Sequence, residues 1–372
     1  MIEVSIVMPC LNEAETIESV VEKALSFFEL NAIEGEVVIG DNGSTDGSQE
    51  LAEALGAKVV HVTKKGYGSA SRGAIESSSG KYIITADTDD SHDLENLMPF
   101  IQRLRAGDDL VMGNRFKGTK EKKAMPFLHR YLGNPILTFT GNLFFKSNIG
   151  DFHCGLRGFT REAYNNMDLK TTGMEFASEI VVKATMNKLK ISEVPTTVFP
   201  AGRSRKPHLR TFPDGWRHLR FLLMYSPKWL FLIPGFIFVL VGFTSSILMI
   251  FKLWSLDIIW LPFTAILFLI GFQFVIFYAL VKIYGTNHGL LPRAESYNRL
   301  FNIFTLERGL LAGLFFLILG TGLAIHFFMD SIQYDQDYLR IIIPSIVSLA
   351  LGIQLILFSF FFSIMGLNDT EN

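Results

Sequence analysis

Two patterns of apolar residues divide the chain near residue 225. Before it, short apolar runs alternate with amphipathic stretches. VSIVMP (4–9), EVVIGD (36–41), KVVHV (58–62), the run KYIITAD ending at Asp87, and DLVMGN (109–114) are rich in β-branched residues and stop at turn formers, so they predict strands. NEAETIESVVEKALSFF (12–28) carries Ile17, Val20, Val21, Ala24 and Leu25 at helical spacing. DGSQELAEAL (46–55) and the glycine-opened stretch 66–79 predict two more helices. Strands and helices alternating in this way imply βαβ units and a mostly parallel sheet, the α/β class.

Beyond residue 225 the pattern changes to long, almost uncharged apolar runs at 229–251, 258–284, 309–329 and 341–366. Each approaches or exceeds the ~20 residues that carry a helix across ~30 Å of hydrocarbon. Buried helices of a large soluble protein are the alternative, but four such runs in succession are hard to hide from water. An all-α, four-helix transmembrane domain over 229–366 is expected. It follows an α/β domain over 1–213 and an interfacial segment, 214–228, in which Trp216, Phe221, Leu222 and Tyr225 mingle with Arg217, His218 and Arg220. The stretch 126–146, interrupted by Pro135 and two glycines, reads as two short surface helices, either membrane-facing or ordinary packing helices.

Charge sets the orientation. Arg203, Arg205, Lys206, Arg210, Arg217, Arg220 and Lys228 precede the first run, and Lys282, Arg293, Arg299 and Arg308 lie between the second and third. The other two connections hold Lys252 with Asp257, and Asp330, Asp335 and Asp337 with Arg340. The excess of Lys and Arg puts the α/β domain on the cytoplasmic side of a multi-pass inner-membrane protein. The formal net charge of −2 gives no footprint for a nucleic acid, and none is expected as a partner. Cys10 and Cys154, the two cysteines, make neither a disulfide framework nor a metal site. No secretory leader is expected, because Met1 runs straight into the first strand.

The polar residues cluster at predicted strand ends: Asn12 and Glu13, Asp41 and Asn42, Asp87 and Asp89. In open α/β sheets, ligands sit beyond these carboxyl ends. Carboxylates spaced Asp87-x-Asp89 suit one hard divalent cation that also touches a diphosphate; a polar turn capping the next helix is the plainer reading. GDNGSTDGS (40–48) can be a base- or ribose-binding turn or simply a well-capped one. In KKGYGSASRG (64–73), free N–H groups with Lys65 or Arg72 would suit a phosphate.

Together these residues resemble a family. Pro9-x-x-Asn12-Glu13, Asp41-Asn42-Gly43-Ser44-Thr45-Asp46-Gly47, Gly66-x-Gly68-x-Ala70 with Gly73, and Asp87-x-Asp89 followed by His92 and Glu95 look like a family 2 glycosyltransferase of GT-A fold. Gly113-Asn114-Arg115-Phe116, the segment Asp151 to Phe159 and Gly202-Arg203-Ser204-Arg205 are similar to the corresponding turns of dolichyl-phosphate mannose and polyprenyl-phosphate glucose synthases. The likeness covers residues 1–225.

The resemblance implies a nucleotide-sugar donor, a polyprenyl-phosphate acceptor at a lipid bilayer, Mg²⁺ or Mn²⁺, and inversion at the anomeric carbon. It assigns Pro9, Asn12, Glu13, Asp41, Asn42, Gly68, Arg72 and Asp87 to the nucleotide, and Asp87 and Asp89 to the metal. Arg115, Arg130, Ser204 and Arg205 would take the acceptor phosphate; Asp89, Arg115 and Glu175 are the catalytic candidates. Asn42 and Arg205 depart from the usual acid and lysine. Arg203 and Arg205 read equally as charges that hold anionic lipid. His92 is a candidate to assist the metal, and His153 and His208 read as structural. The resemblance also implies that the metal carboxylates face Arg115 and Arg205 across a sugar's width. Two rivals stay open: a hydroxyl acceptor, for which Glu175 would be the base, and a non-catalytic binding module. Assembly as a homo-oligomer is open too.

Overall fold

A computed structural model describes residues 2–118, 127–204, 210–253, 257–288, 290–291, 305–330 and 338–367. Arg205, Lys206, His208, Arg293, Arg299, Asp335 and Asp337 lie outside the described residues. The chain forms two compact units, Met1–Leu222 and Leu223–Asn372.

In the first unit, seven strands build one sheet: β1 (Val4–Cys10), β2 (Gly35–Asp41), β3 (Lys58–His61), β4 (Tyr82–Thr85), β5 (Leu110–Asn114), β6 (Arg157–Thr160) and β7 (Ile191–Pro195). Their order is β3-β2-β1-β4-β6-β5-β7. Only β6 runs antiparallel to its neighbours, so the sheet is mostly parallel. The helices α1 (Ile17–Leu30), α2 (Ser48–Ala54), α3 (Tyr67–Ser77) and α4 (Met98–Arg105) connect the first five strands. Val4, Ile6 and Met8 of β1 pack with Ile17, Val20, Val21, Ala24 and Phe27 of α1 in the main core. Val7, Val38 and Ile83, on the opposite pleat, are fully buried as well. Burial on both faces is why these strands read as unbroken apolar runs.

The parallel register places the carboxyl ends of β1, β2 and β4 side by side, with Cys10 opposite Asp41 and Val7 opposite Thr85. Beyond β5, residues 127–145 form one helical stretch rather than two short helices. A π turn, His129–Gly133, runs directly into α5 (Asn134–Phe145). Pro135 lacks the N–H that a regular turn would use, and the wide turn before it absorbs the break. The helices α6 (Arg161–Met167), α7 (Phe176–Met186) and α8 (Thr211–Met224) complete the unit.

Among the described residues, the second unit holds four long apolar helices: α9 (Ile233–Ile250), α10 (Leu261–Asn287), α11 (Leu306–Asp330) and α12 (Leu339–Leu367). With their entry turns, the stretches Lys228–Ile250, Ile258–Asn287, Leu306–Met329 and Leu339–Met365 are long and apolar enough to cross a membrane. Mean hydropathy reaches 2.1 to 2.4 in them, with little of their surface buried within the protein. In water that exposure would be prohibitive; in hydrocarbon it is the expected state. Inside the unit, Ser345 donates to the Gly320 carbonyl at 2.8 Å, a helix–helix bond of the kind that lipid favours.

Candidate functional site

A cavity of about 440 Å³ opens beyond the carboxyl ends of β1, β2 and β4. Pro9, Glu13, Asn42, Asp87 and Asp89 line it, with Lys65, Tyr67, Arg203 and Arg217. Its walls are loops stitched to one another. Asn12 sits at φ 57°, a left-handed conformation that asparagine tolerates. Its side-chain oxygen accepts the Thr45 N–H at 2.8 Å. The Glu13 N–H donates to Ser48 Oγ at 2.9 Å, and the Ala14 N–H to Asp46 at 3.0 Å. The turn after β1 and the turn after β2 are therefore one structure.

The three acids after β4 have different fates. Asp90, at φ 60°, turns to Lys23 and forms an ion pair at 2.6 Å. Asp87 and Asp89 turn into the cavity. Asp87 accepts the Tyr67 hydroxyl at 2.9 Å and lies 3.2 Å from His92 Nε2. Burial alone would raise its pKa; the hydrogen bond and charge of His92, then Tyr67 and Arg203, outweigh burial and hold it below the ordinary value. Burial beside the Asp87 charge pushes the Tyr67 hydroxyl well above its usual pKa, so it remains a donor. Asp89 accepts the Ser91 N–H at 3.1 Å and pairs with Arg203 at 3.0 Å. Two glycines permit this packing. A Cβ on Gly155 would stand 2.8 Å from Asp87 Oδ2 and 2.9 Å from His92 Nε2. Gly66 has φ 128°, and a Cβ there would strike the Thr172 carbonyl oxygen at 2.2 Å.

The remaining candidates divide clearly. Asp41 is fully buried and accepts the N–H groups of Gly43 and Ser44 and the Gln49 amide. These bonds offset the cost of burying it and leave its pKa lowered. Gly68 packs on the Thr171 carbonyl and Phe176, and Arg72 reaches the Lys170 carbonyl and Glu76. Arg115 is clamped to Asp151 by two bonds of 2.7 and 2.8 Å. Burial works against its charge, but Asp151 wins, and Asp87 is close enough to add to the effect. Arg130 is exposed and lies over the Tyr131 ring. Ser204 bonds to Glu15. Glu175 caps the start of α7 beside Gly173 and Met174, which line the cavity; its Oε2 is buried with no partner among the described residues. Asn12, Asp41, Gly68, Arg72, Arg115, Arg130, Glu175 and Ser204 are thus not among the cavity's lining residues. Tyr67, flanked by two glycines, and Arg217, which resembles any charge ahead of a membrane run, line the cavity with no sequence signal of their own.

Asp87 and Asp89 offer hard oxygen donors to one cavity, as Mg²⁺ or Mn²⁺ requires. Among the described residues, no cluster of three His, Cys, Asp or Glu side chains is placed to hold an ion unaided. An ion here would need phosphate or water oxygens to complete its shell, as a diphosphate-bound cation does.

Known proteins resemble this chain in both of its units. The family model for glycosyl transferase family 2 matches residues 5–167, and that for the glycosyltransferase family 2 C-terminal transmembrane region matches residues 279–366. The low-salt glycan biosynthesis hexosyltransferase Agl6 of Haloferax volcanii is 42% identical over 245 residues, 66% of this chain and 59% of that protein. The dolichyl-phosphate hexose transferase of the same organism is 30% identical over 194 residues, 52% of this chain and 81% of that protein. A glucosyl-3-phosphoglycerate synthase from Mycobacterium tuberculosis, solved with Mn²⁺ and UDP-glucose, overlays 60% of this chain and 78% of its own with a TM-score of 0.47 and 22% identity. The chain belongs to glycosyltransferase family 2. It combines the family's α/β GT-A domain with a four-helix transmembrane region, and it is related to dolichyl-phosphate hexose transferases.

Proposed function

We propose that this chain transfers a hexose, with inversion, from a nucleotide sugar to a polyprenyl phosphate. One observation carries the reading: Asp87 and Asp89 share a cavity at the carboxyl edge of the sheet with Glu13, Asn42, Lys65, Arg203 and Arg217. Carboxylates to hold a cation and cations to meet phosphates lie within one space. A divalent ion bound there would stabilise the departing nucleoside diphosphate. His92 and Tyr67 fix the Asp87 carboxylate and keep it ionised. A lipid phosphate has a second pKa of about 6, so it attacks without a base and needs only cations to hold it in line. Lys65, Arg217, Arg115, Arg130, Ser204 and Arg205 are the residues we assign to that phosphate chemistry. The positive-inside pattern favours a cytoplasm-facing catalytic domain in the inner membrane.

The test is a transfer assay with the full-length protein, radiolabelled UDP-glucose or GDP-mannose, and undecaprenyl phosphate. Label extracted with the lipid, and dependent on Mg²⁺ or Mn²⁺, supports the proposal. No lipid-bound label from a panel of donors overturns it. The unpartnered Oε2 of Glu175 favours a second reading, in which the acceptor is a hydroxyl and Glu175 removes its proton. Normal turnover by Glu175→Gln excludes it.

A further inference from the structure

We propose that Arg203 is a built-in counter-cation of the acidic site, and that it makes metal binding conditional on the nucleotide. The inference rests on the reading of Asp87 and Asp89 as the metal carboxylates. It concerns a residue that sequence alone assigns to lipid charge.

Arg203 is mostly buried and spans two acids. Nη1 donates to Glu13 Oε1 at 2.8 Å, and Nη2 lies 3.0 Å from Asp89 Oδ2. The other oxygen of Asp89 already accepts the Ser91 N–H. Both oxygens of a carboxylate meant for a metal are therefore engaged. This is no chance placement of a long side chain, because the backbone delivers it. The Gly202 N–H donates to the Asp89 carbonyl at 2.9 Å, and the Phe199 N–H to the Ser91 carbonyl at 3.0 Å. His92 and Val198 form an antiparallel bridge. The Ser204 N–H and hydroxyl tie the next residue to Glu15. Backbone bonds thus hold residues 198–202 along the acidic loop and place the guanidinium between its two acids.

An exposed Arg–Asp pair would matter little. Here both acids and the arginine are largely withdrawn from water, where an unneutralised carboxylate is costly and an added cation strongly felt. A bare divalent ion approaching Asp89 meets a positive charge already in place. To bind, it must drive Arg203 off an acid, and it supplies no new partner for the guanidinium. A metal–diphosphate complex differs. It brings anionic oxygens that a guanidinium can grip with two bonds. Metal and nucleotide therefore bind with positive coupling, and by linkage each tightens the other equally. Removing the guanidinium removes its share of the coupling and leaves the share that comes from phosphate oxygens completing the ion's shell.

The experiment titrates full-length protein in detergent with Mn²⁺, following the free ion by electron paramagnetic resonance. It is run with and without UDP or GDP. In the unaltered protein, nucleotide is expected to tighten Mn²⁺ binding about tenfold or more, within the usual range of such couplings. In Arg203→Gln, bare Mn²⁺ is expected to bind about tenfold tighter than in the unaltered protein, and the coupling ratio to fall by about the same factor. Arg203→Lys, which retains the charge, keeps bare Mn²⁺ binding weak. Asp89→Asn separates this inference from the reading beneath it. If Asp89→Asn binds Mn²⁺ as the unaltered protein does, with nucleotide and without, the metal assignment itself falls. If binding depends on Asp89 but Arg203→Gln holds bare Mn²⁺ no more tightly, only the counter-cation is overturned. Should Arg203→Gln fail to fold, the unaltered protein still decides, since a coupling ratio near one contradicts the proposal.

Discussion

Asn42 stands where related motifs carry an acid, and the structure says what the amide does. Its Nδ2 donates to the Val62 and Lys64 carbonyls, each at 2.9 Å, and its Oδ1 accepts the Gly66 N–H at 2.7 Å. The residue is 4% exposed, and every side-chain bond is internal. Asn42→Asp would remove both donors and turn a carboxylate oxygen toward two carbonyl oxygens. A buried polar group left unpaired costs about 1–3 kcal/mol. Two orphaned carbonyls, with Lys65 close enough to offset part of the new charge, give a loss of about 3 kcal/mol. In a unit of this size, ~1 kcal/mol moves the melting temperature by about 2–4 °C, so a fall of about 6–12 °C is expected. Thermal unfolding of the full-length protein in detergent measures it. Raising the pH ionises the new acid and deepens the loss. An unchanged melting temperature with weakened nucleotide binding would refute the reasoning, because the side chain would then serve the ligand rather than the loop.

Other outcomes follow from the same geometry. Asp87→Asn deletes a cavity carboxylate and its charge; lipid-linked transfer should fall by about 100-fold or more while the protein folds normally, a result that initial rates and a melting curve check together. The buried histidines make the α/β unit acid-sensitive. Ser178 Oγ lies 3.0 Å from His153 Nε2 and 2.8 Å from His218 Nδ1. Burial lowers both imidazoles, His218 to about 4 from an ordinary 6.5 despite the opposing charge of Asp214. A histidine whose folded pKa is depressed stabilises fully above the unfolded value and loses that contribution as pH falls through the window from 6.5 toward 4. The loss for His218 is about 3 kcal/mol at its limit, and urea midpoints across this window should flatten in His218→Gln. Arg157→Leu leaves the Phe152, Cys154 and Ala177 carbonyls without their shared donor; a loss of about 3 kcal/mol or more is expected in the same urea assay.

Most of the sheet was legible because β1, β2, β4 and β5 are largely buried on both faces and stop at polar turns. β6 was not. Arg157–Thr160 is four residues long and begins with an arginine, which a pattern reading places in water. That arginine is 1% exposed because carbonyl oxygens surround its guanidinium, a circumstance no local pattern reveals. The antiparallel strand it opens lies between β4 and β5, so the sheet's interruption was hidden with it. In the site, acids announced themselves by position at strand ends, and the Asp87-x-Asp89 spacing singled out the pair, without showing what becomes of Asp90. Lys23, from α1, is what claims Asp90 and leaves Asp87 and Asp89 to the cavity. Cations were harder still. Arg203 looks in sequence like any charge before a membrane, and only the pairing of residues 198–202 with the acidic loop brings it to Asp89. Asp41 and Asn12, expected at the nucleotide, also hold the loops that carry them.

The most direct measurement is an anomalous difference map from crystals of the full-length protein grown with Mn²⁺ and UDP or GDP. The account predicts one strong peak within bonding distance of the Asp87 and Asp89 carboxylates, touching the diphosphate of a nucleotide held beyond β1 and β2. A peak away from both aspartates, or a nucleotide bound outside this cavity, would contradict it.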